Sequence, residues 1–166
     1  MHYFLGISIG DINGIGPEVI LRSLGSLLLD RLVTPVLFAH PQILEFYASV
    51  SGLEMPPYVL SSESDLKKNV LNCVPVQLEC PQIRPGEIDA KSAKYAQLSI
   101  QKGTESILKG FTKGLVTAPI SKEAMNKTGF AFPGHTEYLA SLCGKNHESL
   151  MVLANDTIRV SLATVH

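Results

Sequence analysis

The residues best suited to chemistry lie close together near the middle of the chain. Gly114-Leu-Val-Thr-Ala-Pro-Ile-Ser-Lys-Glu is followed at once by Phe132-Pro-Gly-His-Thr-Glu137. In the second stretch Gly134 removes a side chain that would block approach, and the His135 imidazole can hydrogen-bond or charge-pair with a phosphate or carboxylate. The Thr136 hydroxyl can donate beside backbone N–H groups. The plainer alternative is a turn in which Thr136 only caps the next helix. Lys122 falls in the first turn of an expected helix, against the dipole preference; an anion in front of it would make that placement tolerable, and a solvated surface lysine is the competing reading. His166 closes a strand-like run from Ile158, where an imidazole can serve a metal, but a protein-held metal needs several ligands. Taken alone, His166 reads as idle.

The loop Gly10-Asp-Ile-Asn-Gly14-Ile-Gly16 also invites a phosphate, because glycines after a first strand and before a helix let backbone amides approach one. Val19 stands where a dinucleotide fingerprint needs its third glycine, and the Gly-Lys-Ser/Thr ending of a P-loop is missing. A structural turn is the favoured reading.

These groups need strand ends and helix starts to position them. Leu115 to Ala118 reads as a short buried strand, Ser121 as the cap of a helix, and Gly134-His135-Thr136 as a polar loop opening another over Tyr138 to Leu142, ended by Gly144. Upstream, Tyr3 to Ile9 reads as a first strand, and Pro17-Glu18 suits a first helical turn whose apolar positions are Val19, Ile20, Leu24, Leu27 and Leu28. Thr34 to Ala39 is a second strand, and Pro41 opens a helix with Ile43, Leu44, Phe46, Tyr47 and Val50 on its apolar face. A strand and polar turn are expected over Tyr58 to Lys68, and an edge strand over Val74 to Leu78, where Pro75 lacks a donor. Ser92 to Lys109 has helical periodicity, with Gly103 as a weak interior point and Gly110 as a stop. Leu150 to Ala154 and Ile158 to Thr164 flank Asn155-Asp156 as a hairpin. Alternation of strand and helix predicts an α/β fold: a mostly parallel sheet with helices on both faces, and the C-terminal β-hairpin as an antiparallel addition.

At 166 residues and 45% hydrophobic side chains, the chain can build one domain with a real core. A formal net charge of −1 gives no footprint for nucleic acid or an anionic membrane. No stretch is long and apolar enough for a transmembrane helix, and the opening Met-His-Tyr-Phe lacks the basic start of a signal peptide, so a cytoplasmic protein is expected. Cys73, Cys80 and Cys143 are too scattered for a disulfide framework and read as buried or idle thiols.

Together, Gly10-Asp-Ile-Asn-Gly-Ile-Gly-Pro-Glu18, Leu115-Val-Thr-Ala-Pro-Ile-Ser-Lys122, Pro133-Gly-His-Thr-Glu137 and Val160-Ser-Leu-Ala-Thr-Val-His166 resemble, in order and spacing, the N-terminal half of the 4-hydroxythreonine-4-phosphate dehydrogenase family of pyridoxal phosphate biosynthesis. Asp11-Ile-Asn13 departs from the family's more usual acidic-proline run. The resemblance implies an isocitrate dehydrogenase-like fold and a homodimer whose active site lies between subunits. It implies oxidation of 4-phosphooxy-threonine with NAD or NADP, decarboxylation of the product, and a divalent metal (Zn, Mg or Co). By it, His135 and Thr136 bind substrate, His166 is the first of the histidines on the metal, and Lys122 matches a motif lysine as a catalytic candidate. The cofactor-binding residues are unknown. Residues 1–166 would then be the N-terminal α/β portion of a larger dehydrogenase, with the remaining metal ligands and most cofactor contacts in a C-terminal half that this chain lacks, so the chain alone would be inactive. A dehydrogenase of a related four-carbon sugar-acid phosphate, or a non-catalytic anion-binding module, are the alternatives.

Overall fold

In a computed structural model, residues 2–29, 32–144 and 149–162 are described. The backbone divides into two units, Met1–Ala131 and Phe132–His166.

The first unit alternates as expected: β1 (Tyr3–Ser8), α1 (Gly16–Leu29), β2 (Val33–Phe38), α2 (Gln42–Ser51), β3 (Tyr58–Leu60), β4 (Leu71–Cys73), α3 (Ala90–Leu108), β5 (Leu115–Thr117) and α4 (Lys122–Asn126). The strands form one five-stranded sheet in the order β3-β4-β2-β1-β5, every pair parallel. In register, Gly6 lies between Val36 and Leu115. Strand alternation sends Ile7, Leu37 and Leu71 to one face, where they are buried with Leu21 and Leu24 of α1 and Ile43, Leu44 and Tyr47 of α2. Val36 and Phe38 pack on the opposite face with Leu115. Helix α3 covers that second face closely, for a Cβ at Gly103 would stand 2.5 Å from Leu115 Cδ1 and one at Gly6 2.9 Å from Phe38 Cε2. Gly103 is therefore a packing requirement, not a weak point of the helix. The α3 side chains also tie down strand ends: the Ser99 hydroxyl donates to Phe38 O at 2.6 Å and accepts from Ile9 N–H at 3.0 Å, and the Tyr95 hydroxyl accepts from His40 N–H at 2.9 Å.

The strand expected over Val74 to Leu78 lies earlier in the chain. Observed β4 has a strand on each side, so it is not an edge, and Pro75 sits beyond its end, where no ladder donor is needed. The short connector from β3 to β4 has no helix. It is organised instead by buried Asn72, whose Oδ1 accepts from the Ser61 hydroxyl and Lys67 N–H while its Nδ2 donates to Lys67 O and Val70 O. Val19 and Val50, expected on apolar faces, are exposed.

The second unit contains α5 (His135–Cys143) and an antiparallel pair, β6 (Val152–Ala154) and β7 (Arg159–Ser161). The hairpin is present and forms its own two-stranded sheet. Asn155 makes its turn, the Oδ1 accepting from Thr157 and Ile158 N–H. No helix among the described residues is long and apolar enough to cross a membrane.

Candidate functional site

In a parallel sheet, loops at the carboxyl ends of the strands build the site. Here the sheet's connections run to opposite sides of β1, toward β2 through α1 and toward β5 through α3, so the crevice between β1 and β5 is the expected place. The chain's own backbone fills it. Gly10 has φ +70°, and a Cβ there would meet Pro119 O at 2.3 Å; one at Gly16 would meet Ile9 O at 2.8 Å. Asp11 N–H donates to Pro119 O, Gly14 N–H to Asp11 O, and Asn13 N–H to Asp11 Oδ1. With those three donors consumed inside the protein, the glycine loop serves as a structural turn. Its glycines serve close backbone contact.

Buried Asn13 extends that scaffold. Its Oδ1 accepts from Arg84 N–H at 2.8 Å, its Nδ2 donates to Glu87 O at 3.2 Å, and its carbonyl accepts from Gly86 N–H at 2.8 Å. The Tyr47 hydroxyl holds the same loop through Ile12 O. Next to the fixed 84–87 turn, between residues 77–84 and the start of α3, an open cavity of about 440 Å³ lies on the carboxyl side of the sheet. Its side chains include Arg84, Lys91 and Lys94. Local sequence reading misses it because the fold of its irregular wall depends on a distant partner, Asn13, which holds the 84–87 turn.

Lys122 is the first residue of α4 in the first unit, exposed and without an ion pair among the described residues. Ser121 caps that helix as expected, its hydroxyl accepting from Ala124 N–H at 3.2 Å.

His135 and Thr136 stand in the second unit, as the first two residues of α5 and not in a loop before it. Gly134 takes the cap position with φ −172° and offers no side-chain oxygen, so Thr136 is not the cap. The first turn has no side-chain cap bond, and its N–H groups form the helix's positive end, beside Thr136. Glu137 shares that turn and complements the dipole. His135 Nε2 is buried and has no hydrogen-bond partner among the described residues. Burial also holds the imidazole below its ordinary pKa of 6.5, in the neutral form, with one nitrogen to donate and one to accept. A buried, unpaired ring nitrogen is costly in the empty protein, and a ligand that bonds to it removes that cost. Tyr138, one turn further, packs its ring against Phe132 at 5.4 Å between centroids.

His166 lies outside the described residues. Among the described residues no three His, Cys, Asp or Glu side chains converge to hold a metal. The Cys73 thiol is buried and pushed up to about 12 by desolvation, matching the reading of an inert thiol.

Residues 31–166 match the family described as pyridoxal phosphate biosynthetic protein PdxA. The chain belongs to the PdxA family. Among curated relatives, a 4-hydroxythreonine-4-phosphate dehydrogenase of Bacteroides thetaiotaomicron is 31% identical over 98% of this chain and 44% of its own length. A D-threonate 4-phosphate dehydrogenase of Pectobacterium atrosepticum is 30% identical over 100% of this chain and 52% of its own. The crystal structure of a 4-hydroxythreonine-4-phosphate dehydrogenase from Burkholderia phymatum superposes with a TM-score of 0.85 at 28% identity, covering 97% of this chain and 49% of that one. The chain thus spans about half the length of the PdxA relatives it matches.

Proposed function

We propose that this protein is the substrate-binding portion of an NAD- or NADP-dependent dehydrogenase that oxidises 4-phosphooxy-threonine, with decarboxylation of the product, in pyridoxal phosphate biosynthesis. The observation that carries the proposal is His135 Nε2, buried and without a hydrogen-bond partner among the described residues at the first position of α5. Its neutral imidazole bonds the substrate, and the Thr136 hydroxyl and the helix's first-turn N–H groups fix the substrate's anionic group. Lys122 adds a cation at the start of α4 and is the catalytic candidate of the first unit. The nicotinamide cofactor supplies the oxidising power when bound; what the described residues contribute is binding and orientation. His166 is proposed as a ligand of a divalent metal (Zn, Mg or Co), and its partners are not among the described side chains. A cytoplasmic homodimer with its active site between subunits completes the proposal.

A second substrate, D-threonate 4-phosphate, is favoured by the relative from Pectobacterium atrosepticum that is named for it. Both are four-carbon phosphorylated hydroxy acids, differing in an amino group that His135 and Thr136 do not distinguish by charge. Isothermal titration of the protein with each separates them. One of the two binds, and His135→Ala weakens it about tenfold, the value of one hydrogen bond to a charged ligand. Binding of neither, or equal binding by the variant, overturns the proposal. Binding without reduction of NAD or NADP in the protein isolated from its native cells leaves the non-catalytic anion-binding module.

A further inference from the structure

We infer that the cavity between residues 77–84 and the first turns of α3 is a second binding site, for a phosphate-bearing ligand that also carries hydroxyl donors. Its volume, about 440 Å³, falls within the range of small-molecule sites, roughly 300–1,000 Å³. It lies on the carboxyl side of a parallel sheet whose central crevice is already filled by Gly10 and Gly16 against residues 118–119. The open ligand space of this edge is therefore displaced toward α3.

Charge selects the ligand. Arg84, Lys91 and Lys94 line the cavity with Glu79 and Asp89, and since Arg84 is paired with Glu87, Lys91 and Lys94 are the cations left for a ligand. Arg84 is held in place: its backbone is fixed by buried Asn13, and its guanidinium is braced by Gln82 at 2.7 Å and Glu87 at 3.3 Å. Lys91 and Lys94 make no ion pair among the described residues. They are three residues apart on one helix face, so they repel each other, and they sit at the helix's positive end, where cations are unfavourable. Both penalties fall away when a phosphate lies between them. The carboxylates and the amides of Gln77 and Gln82 suit hydroxyls, which a sugar phosphate or nucleotide supplies and a bare anion does not. The site stands on this geometry. It rests on the proposed dehydrogenase reading only for the source of the phosphate, which is either the diphosphate of a nicotinamide dinucleotide or the phosphoester of a small hydroxy acid.

The test is an amide NMR titration of the protein with inorganic pyrophosphate at low ionic strength. Saturable shifts are expected over residues 82–94. The double variant Lys91→Ala/Lys94→Ala weakens binding about tenfold or more, while Lys91→Arg/Lys94→Arg retains it; both are exposed positions whose replacement leaves the remaining spectrum unchanged. Displacement of pyrophosphate by NADH assigns the dinucleotide, and displacement by ribose 5-phosphate but not NADH assigns a phosphoester. No saturable shift in residues 82–94, or pyrophosphate binding as tight in the alanine variant as in the parent, overturns the inference. Pyrophosphate binding with no reduction of NAD or NADP by the protein isolated from its native cells keeps this site and removes the dehydrogenase reading; such reduction with no response in residues 82–94 does the reverse.

Discussion

At the scale of single residues, His135 carries the functional claim, and its protonation gives a stability signature. Burial lowers its folded-state pKa below 6.5, so the unfolded chain takes up a proton first as pH falls. The stability due to neutral His135 is whole above pH 6.5 and is lost as pH drops from 6.5 through the folded-state value. Urea unfolding at about pH 7.5 and pH 5.5 should show the parent losing more stability on acidification than His135→Gln. Equal losses would contradict a buried neutral imidazole. The sequence made His135 and Thr136 visible through Gly134 beside them, but not their setting. Read locally, Gly-His-Thr looks like a loop, because glycine and threonine disfavour helix; in the fold the glycine is the cap position, and both candidate residues are helical. That an imidazole nitrogen is buried without a partner among the described residues depends on packing that no local pattern encodes.

At the scale of elements, regular pieces were legible and the joints between them were not. The first strand, the helix opened by Pro17, the Ser121 cap and the Asn155 turn each depend on residues within a few positions, so spacing alone placed them. Position β4 depends on burial between β2 and β3, which overrode the apolar run Val74 to Leu78. Asn13 and Asn72 look like ordinary loop or strand polar residues until their distant partners are known; each is a buried hub that holds irregular backbone. Likewise Gly103 reads as weak on helix propensity alone, which takes no account of the sheet beneath it. The loop after β1 gives the sharpest test at this scale. Gly10 combines φ +70° with contact to Pro119 backbone, which cannot move as a side-chain tip can. Gly10→Ala should cost about 2–4 kcal/mol, from the left-handed conformation and the overlap together, measured by denaturant unfolding. Gly110→Ala has the same sign of φ, +79°, but open space around it, so its cost should be only about 1 kcal/mol. Equal losses at the two positions would show that the crevice between β1 and β5 is not sealed by the chain.

At the scale of the whole molecule, the hairpin stands out. Leu150, Met151, Val152, Leu153, Ile158 and Val160 are all exposed, and a two-stranded hairpin with both faces bare is marginal in water. This surface matches the proposal of self-association, and sedimentation equilibrium checks it. The protein should associate, and Leu153→Lys combined with Val160→Lys should shift it toward monomer; a parent protein already monomeric at micromolar concentration would contradict the homodimer. The coverage of about half of each PdxA relative bears on the same scale, because the family's activity belongs to a polypeptide about twice this length. The claim made for these residues is the proposed one, binding of substrate at His135.

The most direct test of that claim is to follow the His135 ring protons by NMR while adding 4-phosphooxy-threonine and, separately, D-threonate 4-phosphate. The account predicts a saturable shift of the His135 signals with one of them, together with a rise in its pKa as the bound anion favours the charged ring. A His135 resonance and pKa unchanged at saturating concentrations of both would contradict it.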